Sequence, residues 1–207
     1  MNLRTKLLIG GEWVSGSDRF VTLNPATEEP IAEIEEAGAE QVDAAVRSAR
    51  EAFESPKWRH LDPHRRSALL WRLADLVEQN AEFIAATETR DNGKPLFESS
   101  KVDIPFVVSN LRYFAGWADK LTGDVIPVSG GFLNYTLREP VGVVAAIIPW
   151  NYPFQNIVNP VIPALMSGNA IIVKPSEWVA WSSAQFIQAL RDVLRQAGHN
   201  PDVIQAV

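Results

Sequence analysis

The sequence predicts an α/β fold built on part of a parallel Rossmann-type sheet with flanking helices. Two continuous apolar runs, Val141 to Ile148 (broken only by Gly142) and Ala170 to Val173, have the pattern of parallel strands covered on both faces. The stretch between them carries Pro160, Pro163 and a Ser167-Gly168-Asn169 stop, as a crossover between two such strands requires. Each run ends in a polar cluster, Pro149-Trp150-Asn151-Tyr152-Pro153 after the first and Lys174-Pro175-Ser176-Glu177 after the second. In open parallel sheets the binding crevice lies outside the carboxyl ends of the strands, so these clusters mark the candidate site.

Residues 7 to 35 read as short extended segments: Leu7 to Ile9, Glu12 to Val14, Phe20 to Leu23 and Ile31 to Ile34. Gly10-Gly11, Ser15-Gly16-Ser17 and Asn24-Pro25 separate them as turns. A helix follows, with Val42, Ala45, Val46, Ala49 and Phe53 as its apolar face. Asp62 as a cap and Pro63 at the first helical position open a second helix carrying Leu69, Leu73, Leu76 and Val77. Asn92-Gly93 closes the next helix with a left-handed cap. Another helix runs from about Val102 to Lys120, with Pro105 near its first turn. Asp124 to Glu139 becomes strand-like around Ser129-Gly130-Gly131, a hairpin with Asn134 to Leu137 in its second arm. It reads equally as an oligomer contact or a surface flap.

Beyond the two apolar runs, Ser182 and Gln185 form a capping box for a helix whose apolar face is Phe186, Ile187, Leu190, Val193 and Leu194, ended by Gly198. Val203 to Val207 then takes the next place in the parallel sheet. A chain end inside a core strand places a carboxylate where burial is costly. The 207 residues are therefore expected to be the front portion of a longer, here incomplete, architecture. Three parts are expected: an extended and helical part over 1–123, a hairpin over 124–140, and the first strand-helix-strand units over 141–207.

Composition narrows the function classes. With 46% hydrophobic and 21% charged residues and seven tryptophans, the chain has the makings of a packed core. A net charge of -6 disfavours phosphate backbones and anionic membrane surfaces, so neither nucleic acid nor membrane is an expected partner. Leu7-Leu8-Ile9 is too short for the apolar core of a signal peptide, and no stretch is long enough to span a bilayer. A cytoplasmic location is the expectation. There is no cysteine, hence no disulfide, no thiolate metal site and no thiolate nucleophile.

Asn151 offers a carboxamide that can donate to a developing oxyanion; the alternative is a cap or turn before Pro153. Lys174 and Glu177, three residues apart across Pro175, have the chemistry to grip ribose hydroxyls, or else form a solvated ion pair. A carboxylate there accepts from a free 2′-hydroxyl and repels a 2′-phosphate, which favours NAD over NADP. No G-x-G-x-x-G and no P-loop occurs, so a dinucleotide site cannot use the usual glycine fingerprint. His60, His64 and His199 stand apart near helix ends and are assigned no catalysis, and Asp91 reads as a cap before a cation ligand.

Seven blocks together, Gly10-Gly11-Glu12-Trp13, Asn24-Pro25-Ala26-Thr27, Asp91-Asn92-Gly93-Lys94-Pro95, Arg138-Glu139-Pro140-Val141-Gly142-Val143, Pro149-Trp150-Asn151-Tyr152-Pro153, Ser167-Gly168-Asn169-Ala170 and Lys174-Pro175-Ser176-Glu177, resemble the aldehyde dehydrogenase superfamily in the family's order. The resemblance covers the family's N-terminal portion. It implies an aldehyde dehydrogenase-like fold and an NAD(P)+-dependent enzyme oxidising aldehydes to carboxylates by thiohemiacetal formation, hydride transfer and acyl-enzyme hydrolysis. It further implies that Asn151 donates to the oxyanion, that Ile148, Pro149 and Trp150 line the cofactor site, and that Lys174, Pro175, Ser176 and Glu177 meet the adenosine end. Thr22, Leu23 and Asp91 match positions that bind a monovalent cation in some members, and the hairpin resembles the family's oligomerisation arm.

Two departures accompany the resemblance. Pro160 stands where members resembling betaine aldehyde dehydrogenase carry a lysine, so a charge relay there is lost, and Asn159-Pro160 resembles other branches. The nucleophilic cysteine, the general-base glutamate in its family context and the later glycine motif for the pyrophosphate are absent, so the catalytic domain is missing and the chain alone is expected to be inactive. A non-catalytic oligomerisation or interaction module, or one half of a split enzyme, are the competing expectations.

Overall fold

A computed structural model describes residues 5–207; Met1 to Arg4 lie outside the described residues. Five strands form one sheet in the order β2-β1-β9-β8-β7, where β1 is Leu7–Ile9, β2 Glu12–Val14, β7 Val143–Ile147, β8 Ala170–Lys174 and β9 Ile204–Ala206. The strands β7, β8 and β9 are mutually parallel. The β1-β2 hairpin, turned at Gly10 and Gly11 with φ of +59° and +82°, joins them antiparallel through Leu8 opposite Ala206. The first and last described segments therefore share one sheet. Two further hairpins stand apart, β3 (Asp18–Leu23) with β4 (Pro30–Glu36) and β5 (Val125–Ile126) with β6 (Asn134–Tyr135).

Helix α1 (Ala39–Glu54) packs on β1, β7, β8 and β9, while α7 (Pro153–Met166) packs on β7 and β8 and α8 (Ala180–Gln196) on β9. Four consecutive residues of β8, Ala170 to Val173, are buried, and since neighbours along a strand face opposite ways, both faces are covered. A second layer comes from α3 (Pro63–Gln79), α4 (Ala81–Asn92) and α6 (Ile104–Ala115); α3 lies along α6 and also meets α7 and α8. A short helix α2 (Pro56–Arg59) delivers Trp58 into the core, where its Nε1 donates to the Gly168 carbonyl at 3.0 Å. Asn169 ties the starts of two strands: its Oδ1 accepts from the Gly142 amide at 2.9 Å and its Nδ2 donates to Ser167 Oγ at 2.8 Å. Buried Gln205 of β9 accepts from the Gly10 amide and donates to Ser48 Oγ of α1. Buried Arg191 of α8 holds Asp202 at 2.7 Å and the carbonyls of Pro201 and Ile204.

Several caps form as the sequence predicts. Asp62 accepts from the His64 amide with Pro63 at the first helical position, and Gly93 closes α4 in the left-handed region at φ +83°. Five expectations need correction. The run ending in Ile148 is not covered on both faces: β7 is an edge strand among the described residues, and Val141 and Ile147 are 83% and 81% exposed. On α1, Ala45, Ala49 and Ala52 are buried, while Val42 and Val46 are exposed, because the close approach to the sheet admits only alanine-sized side chains. The helix expected over about 102–120 begins earlier, with α5 (Leu96–Glu98) and a π-helical turn over Ser99–Asp103, and α6 stops at Ala115. The Ser182–Gln185 box does not cap a helix, because α8 begins at Ala180 after a 3-10 turn over Glu177–Val179, and the Ser182 amide instead meets Asp91. The last strand is shorter than Val203 to Val207, since Pro201–Val203 forms a 3-10 turn before β9. Among the described residues no helix is long and apolar enough to cross a membrane.

Candidate functional site

The two polar clusters leave neighbouring strands side by side. In the parallel register of β7 and β8, Ile147 lies opposite Lys174, and the Ile148 amide donates to the Lys174 carbonyl at 2.9 Å. Pro149-Trp150 and Pro175-Ser176 therefore diverge from one sheet edge at the carboxyl ends of the strands, the position at which an α/β sheet opens a crevice. An open groove of about 1200 Å³ lies there, and Trp150, Lys174, Pro175 and Glu177 all line it.

Each site residue has a definite setting. Ile148 is packed in the core, so any contact it makes with a ligand runs through its backbone. Asn151 is exposed; its Oδ1 accepts from Asn156 Nδ2 at 3.3 Å, which leaves the Nδ2 hydrogens of Asn151 to donate elsewhere. Lys174 Nζ stands 3.8 Å from Glu177 Oε2, both side chains more than half exposed, a loose ion pair of small energetic value. Ser176 Oγ accepts from the Trp178 amide and donates to the Glu177 carboxylate at 3.3 Å. The amide of Glu177 itself, then Lys174 and Ser176, hold the Glu177 carboxyl below the usual carboxylate range, so it is charged at neutral pH.

Thr22 and Asp91 come together, Thr22 Oγ1 donating to Asp91 Oδ1 at 3.2 Å, whereas the Leu23 side chain is exposed on the next position of β3. The second oxygen of Asp91 accepts the Ser182 amide at 2.8 Å, so Asp91 does act as a cap, of α8 and not of its own helix. Burial pushes its carboxyl up, against these donors.

Sequence reasoning missed five residues around the groove and the turn beside it. Trp178, 67% exposed, adds a second indole to the groove beside Glu177. Asn92 donates its Nδ2 to the Trp150 carbonyl at 2.8 Å, fastening the strand-end turn from α4. Below the turn, Lys94 is buried between Glu88 at 3.1 Å and Asp103 at 2.5 Å. The signal for the last group was a lysine directly after the Asn92-Gly93 cap, a pattern that also suits an ordinary solvated helix end.

The aldehyde dehydrogenase family profile matches residues 13–207. The human mitochondrial aldehyde dehydrogenase is 42% identical over 98% of this chain, which spans 39% of that relative's length. The cytosolic aldehyde dehydrogenase 1 of Elephantulus edwardii is 43% identical over 98% of this chain and 40% of its own length. An NAD+ complex of aldehyde dehydrogenase from Bacillus cereus superposes with a TM-score of 0.91 at 42% identity, covering all of this chain and 42% of that one. The chain thus spans about two fifths of the length of the relatives it matches. With three parallel strands at the heart of its sheet and a groove at their carboxyl ends, the chain belongs to the aldehyde dehydrogenase family.

Proposed function

We propose that this chain is the N-terminal, cofactor-side portion of an NAD-dependent aldehyde dehydrogenase that oxidises an aldehyde to a carboxylate. The carrying observation is the register of β7 and β8, which brings the two strand ends side by side, with Trp150, Lys174 and Glu177 lining one groove and Asn151 next to Trp150 in the chain. These residues suit the adenosine end of a dinucleotide. The indoles of Trp150 and Trp178 offer apolar faces, Lys174 offers donors, and the charged Glu177 offers an acceptor that pairs with ribose hydroxyls and repels a 2′-phosphate. The sequence has no glycine fingerprint for the pyrophosphate, so the fit is to one end of the cofactor. NAD+ supplies the hydride acceptor when bound. Asn151, its carboxamide oriented by Asn156, donates to the oxyanion that develops on the aldehyde oxygen. With no cysteine in the 207 residues, the isolated chain binds cofactor without turning over substrate.

The same reading assigns residues 1–123, 124–140 and 141–207 to the helical part, the arm and the first dinucleotide-binding units. The arm leaves Val125, Phe132, Leu133 and Leu137 largely exposed, which supports a contact between identical subunits through the 124–140 hairpin. Thr22, Leu23 and Asp91 are proposed to take part in a monovalent-cation site, and the cytoplasm is the proposed location.

Calorimetric titration of the purified chain with NAD+, paired with an aldehyde-oxidation assay, tests the reading. Saturable binding without turnover is expected. Turnover by the chain alone, or no binding with the fold intact, rejects it.

A further inference from the structure

The buried charges beneath the strand-end turn have no counterpart in the cofactor reading. Lys94, Glu88 and Asp103 are all buried, and they come from three places: the loop after α4, α4 itself and the π-helical turn. A π turn is wider than an α turn and is often found at functional sites. Here it carries Asp103 fully out of solvent, and Ser99 at its start is fastened to Thr89 Oγ1 at 2.9 Å.

The Lys94 ammonium has three partners: it donates to Glu88 Oε1 and to Asp103 Oδ2, and it stands over the ring of Tyr152, 4.5 Å from its centroid. The other oxygen of Asp103 accepts from Gln155 Nε2 at 2.6 Å, in the first turn of α7. The next residue, Asn156, donates its backbone amide to the Tyr152 carbonyl and its side chain to Asn151. Lys94 thus grips both flanks of Asn151, through the ring of Tyr152 on one side and through Asp103 and Gln155 on the other. Buried ion pairs seldom stabilise a fold better than apolar packing would, whereas they can fix the geometry of the groups that pair with them.

We propose that Lys94, held between Glu88 and Asp103 and packed on Tyr152, is a positioning residue that sets the orientation of the Asn151 carboxamide. Its catalytic meaning rests on the oxyanion reading of Asn151; the positioning itself does not. The cluster is also proton-sensitive. Two carboxylates share one ammonium out of water, Glu88 Oε2 has no well-formed hydrogen bond, and burial, with Asp103 adding to it, pushes the Glu88 carboxyl up to about 7 against the pull of Lys94 and the backbone amide of Phe154. Among the described residues, the charged groups facing Glu88 are Lys94 and Asp103. A proton taken up by Glu88 leaves Lys94 to Asp103 and Tyr152 alone.

Nuclear magnetic resonance on the 207-residue chain tests this through the side-chain amide signals of Asn151, Gln155 and Asn156, assigned by single substitution, with β8 amides as the internal reference. In the unsubstituted chain these signals are expected to move in one step with a midpoint at about 7, and Glu88→Gln is expected to abolish the step. Lys94→Met displaces the Asn151 and Asn156 signals at every pH while the β8 amides stay in place, and Lys94→Arg restores them in part. Signals that stay flat through the range in the unsubstituted chain, or that Lys94→Met leaves unmoved, overturn the proposal. If Lys94→Met fails to fold, the isosteric Glu88→Gln and Asp103→Asn decide on the same signals. NAD+ added to the same samples reports separately on the cofactor reading: network-dependent shifts without any NAD+ response uphold the positioning and reject that reading.

Discussion

Asp91 Oδ2 accepts the backbone amide of Ser182 at 2.8 Å across 91 residues of sequence, closing the first turn of α8 from the last turn of α4. With Thr22 Oγ1 on its other oxygen, Asp91 joins β3, α4 and α8 at the edge of the groove. Asp91→Ala strands the Ser182 amide in the protein interior and is expected to lower unfolding free energy by about 1–3 kcal/mol. Asp91→Asn keeps one acceptor and recovers most of that loss. Urea unfolding of the three chains measures the order; an unchanged midpoint for Asp91→Ala removes Asp91 from the scaffold.

The same carboxylate decides the cation proposal. At constant ionic strength, replacing tetramethylammonium chloride with potassium or sodium chloride is expected to raise the thermal midpoint of the parent chain and to leave Asp91→Asn unmoved, since a cation bound only to the folded state stabilises by mass action. Equal midpoints in the three salts reject a cation role for Thr22, Leu23 and Asp91.

Trp58 reaches across 110 residues of sequence to donate Nε1 to the Gly168 carbonyl, just before β8. Trp58→Phe keeps most of the ring but leaves that buried carbonyl without its donor, and a cost of about 1–3 kcal/mol is expected. Hydrogen exchange should rise most in Ser167 to Ala170, where the helix-to-strand turn loses its anchor. A uniform increase over the whole sheet would point instead to a general packing defect.

Glu88 gives the fold a pH dependence of definite sign. Its carboxyl titrates near 4.5 when unfolded and at about 7 when folded, so the folded state holds the extra proton between those values. Stability from this group is fully present below about 4.5 and is lost as pH rises to about 7, on the order of 3 kcal/mol in all. Asp91, also raised by burial, acts in the same direction. Thermal midpoints measured from pH 5 to 8 should fall for the parent chain and fall less steeply for Glu88→Gln. Parallel curves for the two would show that Glu88 is ionised throughout.

Local pattern made much of the fold legible. The apolar run Ala170 to Val173 is a fully buried parallel strand, and Asp62-Pro63 and Asn92-Gly93 bound helices as their backbone chemistry requires. What escaped depends on pairing between distant segments. The exposure of Ile147 follows from the edge place of β7 in the strand order, and the junction of β1 with β9 rests on Leu8 meeting Ala206 from the far end of the chain. The exposure of Val42 and Val46 could not be judged from periodicity, because Ala45, Ala49 and Ala52 share almost the same stripe and are the residues buried there. At the site, Lys174 and Glu177 were visible as residues ending a strand. Lys94, Glu88 and Asp103 were not, since nothing local distinguishes a lysine buried by a π turn from one in solvent.

Glu177 carries the last prediction, on cofactor choice. Its carboxyl is held charged by its own amide, Lys174 and Ser176, and it stands exposed on the groove wall between Lys174 and Trp178. A fixed negative charge there accepts from the 2′-hydroxyl of NAD+ and opposes the 2′-phosphate of NADP+, so the chain is expected to bind NAD+ more tightly. Glu177→Gln keeps an acceptor but loses the charge; it should weaken NAD+ by roughly three- to tenfold and narrow the NAD+ to NADP+ ratio. Lys174→Met should weaken both cofactors while leaving their ratio nearer that of the parent, because the lysine donors do not depend on the 2′ substituent. Fluorescence quenching of Trp150 and Trp178 on titration reads all six affinities, three chains with two cofactors each. Equal affinity of the parent chain for the two cofactors would remove Glu177 from the discrimination and leave it as the solvated partner of Lys174, whose 3.8 Å separation already marks a weak pair.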